Sequence, residues 1–179
     1  MRIISGKYRH KHIEVPKTFK ARPTTDFAKE SLFNILSNVY VDFDEAPSAL
    51  DLFSGTGSIS LELLSRGCGR VVSVEKDYHH FQFIQRTSFA LKDTAWQPYM
   101  SDVFKYLDRC HDQFDIIFAD PPYQLENIGD IPALVLEKDI LAEGGIFIME
   151  HGKKQDFSHD PRLIDHRTYG SVNFSFFRK

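Results

Sequence analysis

Asp120-Pro121-Pro122-Tyr123 stands directly behind the apolar run Phe114 to Ala119. Two consecutive prolines fix the backbone and remove two N–H donors, which leaves carbonyls turned outward. The Asp120 carboxylate and the Pro121 carbonyl are two acceptors that can hold an exocyclic –NH2 group. Tyr123 adds a flat face on which a base can stack, worth about 1–3 kcal/mol in nucleic-acid sites. Amine methylation asks for this set, because the nitrogen lone pair must be drawn out of conjugation and aimed at an electrophilic carbon.

A second group, Asp51-Leu52-Phe53-Ser54-Gly55-Thr56-Gly57, has the form of a strand-to-helix junction. Glycines there let the backbone approach a ligand closely, since no Cβ intrudes. The dinucleotide fingerprint G-x-G-x-x-G is incomplete, because Ser60 takes the third position. No lysine follows at P-loop spacing, which argues against a nucleoside triphosphate. An acid at Asp51 beside the loop suits a ligand with an ammonium group better than one with a pyrophosphate. Glu75 follows Gly57 by 18 residues, near the offset at which an acid accepts hydrogen bonds from both ribose hydroxyls. Asp102 can contact an adenine amine. Together these residues point to a bound nucleoside.

Strands and helices must bring the two groups together. Ala49 to Phe53, Val71 to Glu75, Ala95 to Met100, Phe114 to Ala119 and Ile146 to Met149 read as strands. Helices are predicted over Ser58–Arg66, Tyr78–Leu91, Val103–Leu107 and Ile131–Lys138, with Gly67 closing the first. An earlier helix starts from a Thr25 or Asp26 cap, with Phe27, Leu32, Phe33, Leu36 and Val39 at roughly helical spacing. Alternation of this kind implies an open, mostly parallel sheet with helices on both faces. If the fourth strand returns beside the first, the Gly55–Gly57 and Asp120–Tyr123 loops become neighbours at the carboxyl ends of the strands. The tail differs: two alternating runs meet near Tyr169-Gly170 as an antiparallel hairpin. The opening RIISGKYRHKHIEV reads as a further hairpin turning at Ser5-Gly6.

At 179 residues one domain, 1–179, is expected. With 42% hydrophobic and 26% charged residues the composition is that of a soluble globular chain. No apolar stretch approaches the length of a spanning helix, and the N-terminus lacks the apolar run of a secretory signal. Two cysteines, Cys68 and Cys110, are too few for a disulfide framework, so a cytoplasmic setting is expected. His10 and His12 share one face of a predicted strand without a third ligand, and no metal is expected. Charge is uneven. Residues 1–22 carry seven bases (Arg2, Lys7, Arg9, Lys11, Lys17, Lys20 and Arg22) and one acid, Glu14, whereas the remainder carries fifteen bases and twenty-four acids. A basic arm on an acidic body is the electrostatic footprint of a protein that grips a polyanion at one end.

RIISGKYRHKHIEVP, RPTTDFAKESLFNIL, DLFSGTG, VEKD, DPPY, the Gly-Gly strand before Glu150 and the terminal Tyr-Gly hairpin occur here in one order. Along essentially its whole length the sequence resembles the bacterial 16S ribosomal RNA guanine-N2 methyltransferases of the RsmD type. The resemblance implies a Rossmann-like class I methyltransferase fold: a seven-stranded, mostly parallel sheet with an antiparallel C-terminal hairpin and a basic N-terminal β-hairpin. It implies an S-adenosylmethionine site at Asp51, Phe53, Gly55, Gly57 and Glu75, with Asp102 near the adenine. Ser54, Thr56, Lys76 and Val103 flank these residues and are assigned with them. Asp120, Pro121, Pro122 and Tyr123 would hold the guanine amine, and the arm would lie on 16S ribosomal RNA within the small subunit. A monomer without metal or membrane partner is expected. The sequence departs from the family at Phe27, where an Arg is common, and at Thr87, where an Asn is. Alternative acceptors for the same chemistry are an adenine amine in DNA and a glutamine amide in protein. A non-catalytic RNA-assembly factor is the alternative from another class.

Overall fold

In a computed structural model, which describes residues 1–19 and 25–179, one seven-stranded sheet organises the chain. Its strands are β1 (Ser48–Leu52), β2 (Arg70–Glu75), β3 (Trp96–Met100), β4 (Phe114–Ala119), β5 (Leu141–His151), β6 (Leu163–Tyr169) and β7 (Val172–Phe177). Their spatial order is β3-β2-β1-β4-β5-β7-β6. The first five are parallel neighbours, and β7 is antiparallel to both β5 and β6. The order reverses between β1 and β4, so the two predicted loops leave adjacent strands.

Among the described residues five α-helices cover the two faces: α1 (Asp26–Ile35), α2 (Ser58–Arg66), α3 (Tyr78–Leu91), α4 (Val103–Arg109) and α5 (Ile131–Leu136). Buried side chains of α1, α2 and α3 pack with Ala49, Val71, Ile116, Phe118, Ile146 and Ile148 on one face. Those of α4 and α5 pack with Leu50, Leu52, Val72, Val74, Ile117 and Phe147 on the other. Successive strand residues therefore enter different cores, which is why the central strands read as unbroken apolar runs. Among the described residues no helix is long and apolar enough to cross a membrane.

Three elements depart from the sequence expectation. The predicted strand Ile146–Met149 is the end of the eleven-residue β5, whose register against β4 shifts between Phe114 and Ile116. Gly144, at φ 73°, and Gly145 sit inside that irregularity rather than ahead of the strand. Glycine marks bulges as readily as strand ends. The N-terminal hairpin reduces to a single antiparallel bridge, Arg2 with His12, closing a loop in which Gly6 and His10 have positive φ. His10 thus lies in a turn, not on a strand face with His12. Finally, α1 continues as a π-helical turn, Leu36–Tyr40, closed by the Val41 N–H to Leu36 O bond at 2.8 Å. Phe27 and Val39, at the two ends of the predicted apolar stripe, are 70% and 66% exposed. Thr25 caps α1 as predicted, its hydroxyl accepting from Ala28 N.

The arm packs on α2 and α1. Glu62, fully buried, accepts from Ile4 N at 2.8 Å, Ser5 N at 3.1 Å and Arg66 Nε at 2.8 Å. Lys29, also buried, approaches Glu62 at 4.0 Å and donates to Arg2 O at 2.5 Å and Ser58 Oγ at 3.1 Å. Lys7 N donates to Ser65 O at 2.8 Å. Gly6 lies so close to α2 that a Cβ there would meet Ser65 O at 1.8 Å.

Candidate active site

Four carboxylates gather at the carboxyl ends of the strands, and strand parity explains why. Asp51 pairs in register with Ser73 and Phe118, and Phe118 pairs with Ile148. Neighbours in register on parallel strands share a face, and Ala49, Phe118 and Ile148 belong to the core beneath α1 and α2. Glu75 and Glu150 lie two residues beyond Ser73 and Ile148, on the same side. Asp120 follows β4 by one residue, its N–H directed at Leu52 O at 3.4 Å. Asp51, Glu75, Asp120 and Glu150 thus converge on one face at one end of the sheet.

The glycine segment turns sharply into α2. Phe53 adopts φ 62°, rare for a bulky residue and found where surrounding structure over-determines the backbone. Ser54 N donates to Val74 O at 3.0 Å, Ser54 Oγ to Asp51 O at 2.7 Å and Gly57 N to Ser54 O at 2.7 Å. Gly57 has φ 74°, and a Cβ there would lie 2.9 Å from Trp96 Cζ2 and 3.1 Å from Ile84 Cγ1. Close packing of the loop on β3 and α3, as well as backbone conformation, therefore requires this glycine. Gly55 N donates to Glu75 Oε2 at 2.7 Å, and Asp77 N donates to Glu75 Oε1 at 2.7 Å. Glu75 thereby ties the loop after β1 to the loop after β2. Each of its oxygens keeps a further lone pair for a ligand hydroxyl.

Asp51 has a second task that the sequence did not reveal. Its carboxylate accepts from Ser60 N at 3.1 Å and from Ser60 Oγ. Ser60 Oγ lies 2.5 Å from Ser73 Oγ, which accepts from Trp96 Nε1 at 2.7 Å. This buried chain locks α2 to β1, β2 and β3. Burial pushes the Asp51 carboxyl up to about 7 against the Ser60 hydrogen bonds. Burial also holds Asp120 well above the ordinary carboxylate range, with the charges of Glu150 and Asp51 adding to it. Deprotonating Asp51 and Asp120 costs free energy until a cation arrives.

A pH dependence follows. Asp51 retains its proton in the fold at pH values where the unfolded chain has lost it. Its contribution is therefore neutral below about pH 4 and increasingly destabilising as pH rises to about 7, then constant. The stability of the wild type relative to Asp51→Asn should fall across that window, by at most about 1.4 kcal/mol per pH unit. Urea midpoints of both proteins between pH 4 and 8 would check this; a relative stability that rises with pH would contradict it.

The other predicted residues are distributed around this face. Asp102 caps α4, accepting from Phe104 N at 3.0 Å through Oδ1, while Oδ2 lies 3.8 Å from the exposed Lys76 Nζ. Val103 is buried in the opposite core. Thr56 is directed toward the arm, its hydroxyl 3.9 Å from Met1 Sδ. Phe53 meets Phe104 edge-on with ring centroids 6.5 Å apart. Tyr123 is 41% exposed, and a Cβ on Gly152 would lie 3.5 Å from its ring carbons. Gly152 follows β5, so the ends of β4 and β5 together seat that ring. Thr87 bonds back to Phe83 O of its own helix at 2.8 Å, and Phe27 rests edge-on against Tyr169. In the arm, Arg2, Arg9, Lys11 and Lys17 are exposed, whereas Lys7 forms an ion pair with Asp93 at 2.6 Å. Lys20 and Arg22 lie outside the described residues. Among those residues no cluster of His, Cys, Asp and Glu could hold a metal ion.

Comparison with known proteins places this arrangement in context. The sequence profile of the family described as Conserved hypothetical protein 95 matches residues 1–178. The Escherichia coli K12 protein named ribosomal RNA small subunit methyltransferase D is 31% identical over 84% of this chain and 74% of its own length. The candidate rRNA methyltransferase YlbH of Bacillus subtilis is 29% identical over 100% of this chain and 99% of its own. The solved structure of the candidate methyltransferase yhhF from Escherichia coli superposes with a TM-score of 0.84 at 27% identity, covering 99% of this chain and 96% of that one.

Proposed function

The chain belongs to the RsmD-type family described as Conserved hypothetical protein 95, and from that membership we propose that it methylates the exocyclic N2 amine of a guanine in 16S ribosomal RNA, with S-adenosylmethionine as donor, in the cytoplasm. The observation that carries this reading is the meeting of the glycine loop after β1 with the Asp-Pro-Pro-Tyr loop after β4, on a face lined by Asp51, Glu75, Asp120 and Glu150. Relatives named as methyltransferases of small-subunit ribosomal RNA support the acceptor.

The donor set fits a cationic nucleoside. S-adenosylmethionine carries a sulfonium and an ammonium group, and four carboxylates in a poorly hydrated site favour net positive charge. The Gly55–Gly57 loop and Glu75 would hold it, with Asp102 at the base end. When bound, it supplies a methyl group on positively charged sulfur. Chain residues do the rest. A cation held beside Asp51 and Glu75 favours the ionised form of Asp120. Ionised Asp120 and the Pro121 carbonyl accept the two amine hydrogens and set the direction of the nitrogen lone pair. Tyr123, backed by Gly152, stacks on a guanine turned out of its helix. Alignment of this kind supplies several kcal/mol of barrier reduction; as the N2–CH3 bond forms and the S–CH3 bond breaks, leaving a neutral thioether, the nitrogen gives up one hydrogen as a proton to the Asp120 carboxylate that already accepts it.

Methyl incorporation into small subunits from a strain lacking this protein, followed by nucleotide mapping, tests the reading directly. Label is expected at one guanine as N2-methylguanosine. Label in duplex DNA or in a protein glutamine, with none in the subunit, would refute the acceptor. Cofactor binding has its own signal in Trp96, the single tryptophan, which packs against Gly57 and bonds to Ser73. Titration with S-adenosylmethionine should change its emission saturably at micromolar to submillimolar concentrations. No saturable change, together with no calorimetric heat, would favour a non-catalytic assembly factor.

A further inference from the structure

A line of hydrogen bonds runs beneath the carboxylate face, between the sheet and α2. Trp96 of β3, 3% exposed, begins it. Its Nε1–H donates to Ser73 Oγ at 2.7 Å, Ser73 Oγ lies 2.5 Å from Ser60 Oγ, and Ser60 Oγ meets Asp51 Oδ2. Every member is buried. The line crosses from β3 through β2 and α2 to β1. Only its last member belongs to the cofactor site as proposed above.

Chemistry fixes the direction of each hydrogen. An indole N–H only donates, a carboxylate only accepts, and a serine hydroxyl has one hydrogen to give. Ser73 Oγ accepts from Trp96, so its own hydrogen goes to Ser60 Oγ. Ser60 Oγ passes its hydrogen to Asp51 Oδ2, which also accepts from Ser60 N at 3.1 Å. All donors thus point toward Asp51, and aligned buried hydrogen bonds reinforce one another. A proton on Oδ2 would turn both hydroxyls round and strand the Ser73 hydrogen against the Trp96 N–H. The charged groups nearby work the other way. Glu75 of β2 and Asp120 after β4 repel the Asp51 charge, and Glu150 of β5 repels that of Asp120. Lys29 of α1 is engaged by Ser58 Oγ, Arg2 O and Glu62. The influences that favour charge on Asp51 are hydrogen bonds, led by those of Ser60.

We infer that Trp96 is a positioning residue for the cofactor, its indole N–H holding the Ser73 and Ser60 hydroxyls so that Asp51 meets a cationic ligand as a hydrogen-bonded carboxylate. The inference rests on the proposed use of S-adenosylmethionine. Asp51, 1% exposed, acts on that ligand by charge rather than by contact. The Trp96 ring also packs on Gly57, so ring and N–H serve one site by different means.

Trp96→Phe separates the two, since it keeps an aromatic ring against Gly57 and removes the N–H. Carbon NMR of the Asp51 carboxyl in the unliganded protein reads the effect directly. Its titration midpoint should move upward by about half to one pH unit, the worth of one buried hydrogen bond. Ser73→Ala breaks the line without touching the ring, should move the midpoint the same way, and serves if Trp96→Phe does not fold. An unmoved or lowered midpoint in either folded variant would overturn the inference. Calorimetric affinities for S-adenosylmethionine give the functional readout, and comparison at one pH cancels titration of the ligand. At pH 6 Trp96→Phe should bind about two- to tenfold more weakly than wild type. Because burial pushes the wild-type carboxyl up to about 7, the deficit should shrink to less than about twofold at pH 8.5, where Asp51 is ionised in both proteins. A deficit equal at the two pH values would leave Trp96 a packing role alone and overturn the inference. Failure of the wild type to bind S-adenosylmethionine would refute the proposed cofactor, and the carboxyl midpoints would still decide the role of the indole N–H.

Discussion

Asp120→Ala should lower methyl transfer by at least about a hundredfold while changing the affinity for S-adenosylmethionine by no more than a few-fold. The factor reflects alignment, since displacement of a reacting group by about 1 Å costs on that order. Affinity should be nearly preserved because Asp120 belongs to the loop after β4, whereas the glycine loop, Glu75 and Asp102 belong to β1, β2 and α4. Removing one carboxylate from the cluster also relieves repulsion on Asp51 and Glu150, which offsets part of any loss of attraction for a cation. Single-turnover rates and Trp96 titrations on the same preparation measure the two quantities. Transfer at near wild-type rate would remove Asp120 from the reaction. A matching collapse of cofactor affinity would make it a cofactor ligand instead.

Glu62→Ala is expected to destabilise the protein by about 3–5 kcal/mol, the usual consequence of deleting one partner of a buried charged cluster. The change leaves Ile4 N and Ser5 N without their acceptor and Lys29 buried without its counter-charge. Burial already lowers the Lys29 pKa against the pull of Glu62. At this chain length each kcal/mol moves the melting temperature by about 2–4 °C, so a fall of roughly 10 °C is expected. Glu62→Gln, which keeps an acceptor for the arm, should lose less. Melting curves and protease cleavage within the first twelve residues would show both effects. A Glu62→Ala protein as stable and as resistant as wild type would mean that the arm does not depend on α2. Because Glu62 lies on α2, which Gly57 caps, loosening of the arm should also reach the Gly55–Gly57 loop.

The central sheet was legible because its cues are local. Phe114 to Ala119 is buried on both faces and reads as an unbroken apolar run, and Ser58–Arg66 has its stop at Gly67. The return of the fourth strand beside the first was a condition the sequence left open, and the pairing of Asp51 with Phe118 meets it. Where a local cue has two meanings, the sequence misled. Gly144-Gly145 could end a strand or sit within a bulge, and contact with β4 selected the bulge. Phe27 and Val39 extend an apolar spacing past the point where the core stops. Lys7 looked equivalent to Arg9 until Asp93, eighty-six positions away, was brought beside it.

By itself, the order of residues determined the class of fold, the two loops proposed to carry the chemistry, the acids beside them and the basic character of the arm. Each depends on short-range periodicity, chain punctuation or charge count. Tertiary structure alone decided that four carboxylates share one face, that Asp51 also locks Ser60, and that Glu62 and Lys29 fasten the arm. It also decided that Lys7 of the arm is paired with Asp93. Those facts depend on which residues distant in sequence become neighbours, and hence on burial and charge pairing that no local pattern encodes.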